Sequence, residues 1–212
     1  MQSLPDLLQT CAALHRQHLC PRQVLGVRMG LWAGEILNLD VPQTGKRLLT
    51  IMETDGCGAD GVAVATNCWV GRRTLQIVDY GKVAATFVDS ATERAVRIAP
   101  RSDIRQQARA IAPEAGNKWK AQLLGYQRLS AAAMFVVQEV QLNTPLSHLL
   151  GRPGQKAICD SCAEEIINGR EIRREGVTLC AACAGPTYYH RLEALTFEKT
   201  AVGWQPPETI SP

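Results

Sequence analysis

Residues 47–99 read RLLTIMETDGCGADGVAVATNCWVGRRTLQIVDYGKVAATFVDSATERAVRIA. Arg47 to Glu53 is a short apolar run that ends at turn residues, and it predicts a strand. The stretch TDGCGADG, residues 54–61, is a glycine-rich turn entering a helix. Gly56, Gly58 and Gly61 let the backbone bend sharply and come close to a bound group. Thr74 to Tyr80 and Val83 to Asp89 predict a hairpin across Gly81-Lys82, and Ala95 to Ala99 a third strand.

Helices flank this strand-rich block. Leu4, Leu7, Leu8, Cys11 and Leu14 recur at helical spacing and mark one apolar face. A second helix starts at Pro21, because proline suits the first helical position, and runs to about Ile36. Two more helices are expected over 102–112 and 114–130, then a last strand from Met134 to Val140. Helices followed by a meander of strands point to an α+β fold, a mixed sheet with helices on one face, over residues 1–142. The Pro- and Gly-rich segment 143–157 reads as a linker, 158–185 as a zinc ribbon and 186–212 as a C-terminal tail.

The ribbon rests on four of the eight cysteines in the 212-residue chain. Cys159, Cys162, Cys180 and Cys183 form two Cys-x2-Cys knuckles separated by 17 residues, a spacing suited to a four-thiolate zinc site. Such a site is a closed tetrahedron without an open coordination position, so it holds structure and performs no chemistry. Arg170 to Leu179, between the knuckles, predicts a short hairpin turning at Glu175-Gly176. Two disulfides are the alternative. No secretory signal opens the sequence, which sets the expectation of a cytoplasmic protein and favours metal over disulfides.

Composition excludes several classes. No run of about 18 apolar residues is present, so no membrane span is expected. A net charge of +3 is too small to imply a polyanionic partner. Arg170, Arg173 and Arg174 gather in the ribbon loop, but a solvated hairpin accounts for them, and nucleic acid is not an expected partner.

The other cysteines are Cys11, Cys20, Cys57 and Cys68. Cys11 lies on the apolar stripe of the first helix and reads as a small core residue. Cys20 precedes Pro21, at the expected N-cap of the second helix, with His18 two residues earlier. The positive end of the helix dipole favours a thiolate there. Cys57 stands in the glycine-rich turn with Asp60 three residues on. A lone His-x-Cys is a weak signal, and a glycine-rich turn with an incidental cysteine is common.

Taken together, HLCPRQVLGVRMG (18–30) and the block from Glu53 through Phe87 resemble the FmdE family, named for formylmethanofuran dehydrogenase. The match runs through a His-x-Cys-Pro opening, a Cys-x2-Asp, a Cys-x2-Gly and an Asp-x-Gly-Lys, in the family's order and ahead of a terminal ribbon. The matching positions are His18, Cys20, Cys57, Asp60, Cys68, Gly71, Asp79, Gly81 and Lys82. Two departures stand out: Arg16 and Gln17 precede His18, with His15 one residue off register, and Arg72 or Arg73 replaces a lysine after Cys68. The resemblance implies a homodimer and a metal or ligand site in the main domain. His18, Cys20, Cys57 and Cys68 would ligate a second transition metal there. Asp60 would complete the site or orient a ligand, and Arg28 and Lys82 would supply charge for a small anionic ligand. The redox reaction behind the family name is not expected, because no further run of closely spaced cysteines could hold an iron–sulfur cluster.

Three functions follow. The first is a metal-binding accessory protein or small metalloenzyme, with a structural zinc and a second, accessible metal. The second is a zinc-ribbon regulator contacting nucleic acid or transcription machinery. The third is a thiol redox protein pairing Cys20 with Cys57 or Cys68. No residue is assigned as catalytic.

Overall fold

The structure is a computed structural model that describes residues 2–190 and 192. The expected tail over 186–212 therefore lies outside the described residues from 193 onward. The chain divides into two compact units, residues 1–151 and 152–212.

The first unit opens with α1 (Leu4–Leu14) and α2 (Pro21–Leu37). Ser3 caps α1 and exchanges hydrogen bonds with Asp6, a capping box that satisfies otherwise orphaned N–H groups. Then come β1 (Leu48–Met52), α3 (Cys57–Thr66), β2 (Leu75–Ile77), β3 (Ala85–Asp89) and β4 (Ala95–Pro100). Two helices, α4 (Ile104–Ile111) and α5 (Lys118–Arg128), precede the short α6 (Ala131–Met134) and β5 (Phe135–Val140). Part of the expected linker is folded: α7 spans Leu146–Leu150.

The fold is α+β with a five-stranded mixed sheet in the order β2-β1-β3-β4-β5. The expected hairpin across Gly81-Lys82 does not form, because β1 lies between β2 and β3. β2 pairs parallel to β1 and β3 antiparallel to it. A parallel pair needs a crossover, and α3 is that crossover. The segment after β2 then wraps the end of β1: Val78 donates to the Met52 carbonyl at 2.8 Å, and Tyr80 and Lys82 to the Glu53 carbonyl at 2.9 and 3.1 Å. Those N–H groups are spent on β1, so none remains for a hairpin partner.

Alternation along the strands divides the sheet's side chains between two clusters. Leu48, Met52, Ala85, Phe87, Val96 and Ile98 join the main core with the helices. Leu49, Val88 and Ala95 face the other way, where Leu146 and Leu150 of α7 cover them. α7 is thus the exception to helices on one face.

The tightest packing joins α2 to α3, which run parallel. A Cβ at Gly26 would stand 2.2 Å from the Gly58 carbonyl oxygen, and one at Gly61 would stand 2.3 Å from that of Gln23. No side chain fits at either crossing, so glycine is required for the two backbones to touch.

The second unit holds two ribbons, β6 (Lys156–Ile158) with β7 (Glu165–Ile167) and β8 (Ile172–Arg174) with β9 (Val177–Leu179), and the single turn α8 (Ala181–Ala184). The β8–β9 turn falls at Glu175 and Gly176, whose φ values of 51° and 83° suit a tight two-residue hairpin. Among the described residues, no helix is long and apolar enough to cross a membrane.

Candidate metal centre

The β6–β7 turn presents Cys159 and Cys162, and the end of β9 with the start of α8 presents Cys180 and Cys183. Their four sulfurs all lie within 4.8 Å of one another. Cys162 Sγ and Cys180 Sγ are 3.9 Å apart. A tetrahedron with metal–sulfur bonds of about 2.3 Å has edges of about 3.8 Å, so the thiols already stand where such a cation would hold them. Backbone donors point inward: Cys180 N–H reaches Cys159 Sγ at 3.3 Å, and Cys183 N–H reaches Cys180 Sγ at 3.4 Å. The N–H groups of Cys180 and Cys162 hold the Cys159 thiol down to about 6. Cys162 receives the Glu164 N–H, yet desolvation and its three thiol neighbours push it up to about 11. Four clustered thiols cannot all ionise without a cation to neutralise them.

A second, looser group sits where α2 and α3 begin. Because the helices run parallel and touch at glycines, both N-termini open at the same end of the unit. Cys20 is the N-cap of α2 and Cys57 the first residue of α3. Gln23, fully buried, accepts from the Cys20 N–H at 2.6 Å and donates to the Cys11 carbonyl at 3.3 Å, tying this corner to α1. The Cys20 and Cys57 thiols lie near enough to influence each other: Cys57 is raised by burial first, then by the neighbouring Cys20 and by the charge of Asp60. Cys11, on the inner side, is pushed up to about 12 by burial first, then by Asp60, Cys20 and Cys57. It stays a neutral thiol.

His15, which stood off register in the sequence, meets this group: its Nε2 is 2.9 Å from Asp60 Oδ2. Arg16 and Gln17 both adopt left-handed backbone, with φ values of 52° and 66°, and that turn carries the chain from His15 to the start of α2. His18 stacks on the Trp119 ring with centroids 6.0 Å apart. Among the described residues, the ribbon cysteines form the single group of three or more ligand atoms within 4.8 Å. The thiol pair and the His15–Asp60 pair are neighbours in this structure and do not form one closed ligand set.

Two expected residues are placed elsewhere. Cys68 is buried past the far end of α3 and its thiol donates to the Leu48 carbonyl at 3.3 Å. The ten residues of α3 span about 15 Å, so Cys68 cannot reach Cys57. Arg28 donates to the carbonyls of Tyr126, Gln127 and Leu129 at 3.0, 3.1 and 2.7 Å. It satisfies the orphan acceptors at the end of α5 and is not available to a ligand at the thiols. Lys82 is exposed, with its Nζ 6.0 Å from the Tyr80 ring centroid, and lines a neighbouring cavity.

A family model described as "FmdE, Molybdenum formylmethanofuran dehydrogenase operon" matches residues 15–140, more than half of the chain. A curated protein of Archaeoglobus fulgidus, named as a probable S-adenosyl-L-methionine-binding protein, is 39% identical over 84 residues. That stretch is 38% of this chain, and the chain spans 23% of that relative's length. A crystal structure of an FmdE-like protein of the tungsten formylmethanofuran dehydrogenase type, from Syntrophus aciditrophicus, shares the fold, with a TM-score of 0.57 at 22% identity. The superposition covers 89% of this chain and 96% of that one.

Proposed function

The chain belongs to the FmdE family, and from that premise we propose that it is a metal-binding protein with two sites of different kind. Cys159, Cys162, Cys180 and Cys183 hold a structural zinc, for which four thiolates are the preferred donor set. Cys20 and Cys57, with Asp60 and His15, take a second transition metal that keeps open positions for a ligand or water. Mixed sulfur, nitrogen and oxygen donors suit zinc, nickel, copper or iron. The observation that carries the second site is the 2.9 Å His15–Asp60 pair where α2 and α3 both begin, with Cys20 at the start of one helix and Cys57 at the start of the other. Burial opposes an unpaired thiolate at Cys57, and a cation supplies the missing charge. The family resemblance implies that the protein works as a homodimer, which light scattering across a range of concentrations tests.

Elemental analysis of protein purified without chelator tests the site. Two metals per chain are expected in the wild type and one in Cys57→Ser, with the ribbon's zinc retained. One metal per chain in both proteins would refute the second site. The placement of Cys20 and Cys57 at adjacent helix starts favours a second reading, a redox pair. It predicts that mild oxidation of metal-free protein links Cys20 to Cys57, leaves neither free to alkylate, and is blocked by bound metal.

What the Archaeoglobus relative binds does not transfer by this alignment. The shared stretch is 23% of that protein.

A further inference from the structure

Beside the thiols, the first unit holds a cavity of about 420 Å³ between the start of α2, the end of β4, the start of α4 and α5. Five cationic side chains line it: Arg22, Lys82, Arg97, Arg101 and Arg105. No carboxylate is among its lining residues. Two acids approach from outside: Glu53 holds Arg97 by a pair of hydrogen bonds at 2.5 and 2.7 Å, and Asp103 Oδ1 lies 3.8 Å from Arg101 Nε. Among the described residues Arg22, Lys82 and Arg105 form no ion pair, although the Lys82 charge helps lower the Glu53 carboxyl. The Tyr126 hydroxyl, in the cavity wall, donates to Gln122 Oε1 at 3.3 Å.

Clustering like charges around a concavity is unfavourable unless something negative offsets it, and a low-dielectric wall strengthens that demand. Apart from the polar Ser102 and Gln122, the other lining groups, including Leu25, Val83, Ile104 and Tyr126, are apolar or aromatic. Such a wall suits the body of an organic molecule rather than a bare inorganic anion. The volume is within the range of small-molecule sites. The positive ends of α2 and α4 add to the same field. Glu53 fixes the Arg97 guanidinium in place before any ligand arrives, which lowers the ordering needed on binding.

We propose that this cavity is a binding site for a small organic anion carrying at least two phosphate or carboxylate charges on an apolar or aromatic body. The site is separate from the metal reading and does not rest on it. It nevertheless adjoins the thiols: Pro21 and Arg22 directly follow Cys20, and a Cβ at Gly58, next to Cys57, would meet Val83 at 3.7 Å. A ligand seated there would end beside the Cys20–Cys57 pair.

Titration calorimetry on the full chain at low ionic strength tests this, with ADP as the phosphorylated probe and citrate as the carboxylate probe. At least one should bind, more weakly as salt rises. Arg22→Ala/Arg105→Ala should weaken binding at least tenfold, a loss of about 1.4 kcal/mol. These two positions are exposed and hold no ion pair among the described contacts, so the fold should tolerate the change, and a thermal melt checks that it does. Arg109→Ala, on α4 but outside the cavity, should leave affinity unchanged. The arginine double variant should keep the wild type's metal content, which separates this result from the fate of the metal site. ADP binding without citrate would assign a phosphorylated ligand, and the reverse a carboxylate. No heat from either probe at about 1 mM, or affinity unaltered by the double variant, would overturn the proposal.

Discussion

The protein builds two cysteine groups by opposite means. In the second unit, each knuckle comes from residues three apart in sequence, and two short ribbons bring the knuckles together; nearly all the geometry is local. In the first unit, Cys20 and Cys57 sit on different helices and meet because Gly26 and Gly61 let α2 and α3 touch. A ribbon this small, with little core of its own, is expected to depend on a bound cation, whereas the thiol pair is held by the core around it. Removing metal should therefore dismantle the first and leave the second standing.

The largest expected effect tests that contrast directly. Cys162→Ser should remove one metal per chain, and chelation both, and either should take with it the folding of residues 156–184. Metal binding and folding are one event in such small modules, and the linked energy is on the order of 10 kcal/mol. Hydrogen exchange should show β6 to β9 losing protection while α2 and β3 keep theirs. Unchanged protection across the ribbon after chelation would break the comparison.

Next comes Gly61→Ala. In an open helix, glycine to alanine stabilises by about 1 kcal/mol. Here the added Cβ would lie 2.3 Å from the Gln23 carbonyl oxygen and 2.9 Å from the Val27 nitrogen. Both are backbone atoms that cannot swing away, so the helices must part. A loss of roughly 3 kcal/mol is expected, read by urea denaturation, together with a fall in Cys20–Cys57 disulfide yield under mild oxidant. A stabilised Gly61→Ala protein would show that the helices can part freely, and that the thiols do not depend on the contact.

Acid acts on the first unit through a carboxylate at the end of β3. Asp89, with its side chain 3% exposed, accepts two bonds from Arg47 at 2.8 Å, one from the Ala91 N–H and one from Thr92 Oγ1. Arg47 above all holds the Asp89 carboxyl well below the usual carboxylate range. Its contribution is therefore complete above the unfolded value of about 4 and is lost as pH falls through the lowered folded value. Asp89→Asn should flatten the acid limb of a stability–pH curve and lower stability at neutral pH by about 2 kcal/mol. Glu53, lowered in the same sense chiefly by its bond to Arg97, leaves a residual slope. An acid limb unchanged in Asp89→Asn would place the titrating group elsewhere.

How much of this was legible follows from the same division. The ribbon's four cysteines, its Glu175-Gly176 turn and the helix starting at Pro21 were readable, because spacing and turn chemistry act over a few residues. The pairing of β1 with both β2 and β3 was not: the alternating pattern of 74–80 and 83–89 is the same whether the strands form a hairpin or flank a third. The glycines near Cys57 announced backbone freedom, but Gly61's role belongs to a helix crossing no local pattern encodes. Cys68 and Arg28 matched the family motif by position and yet serve the core. Only burial and hydrogen bonds could tell a thiol aimed at the Leu48 carbonyl from one aimed at a ligand.

His15 gives the smallest expected change in stability and the sharpest test of what the first-unit group is for. Its contact with Asp60 is 2.9 Å long, but the two side chains are 32% and 39% exposed. An ion pair that open to water is worth under about 1 kcal/mol, because solvent screens the attraction and both side chains lose rotamer freedom. As a staple it would be negligible, so His15→Ala should move the denaturation midpoint barely at all. If the pair instead serves the thiol site, the same substitution leaves Asp60 without its partner beside Cys57 and removes a nitrogen donor. Affinity for the second metal should then fall by about 10- to 100-fold, as it does when groups supporting a ligand shell are removed, while the ribbon's zinc stays in place. His15→Gln, which can still bond Asp60, should recover part of that loss if His15 orients Asp60, and none if it donates directly to the metal. A His15→Ala protein that holds the second metal as tightly as the wild type would confine the site to the two thiols and Asp60.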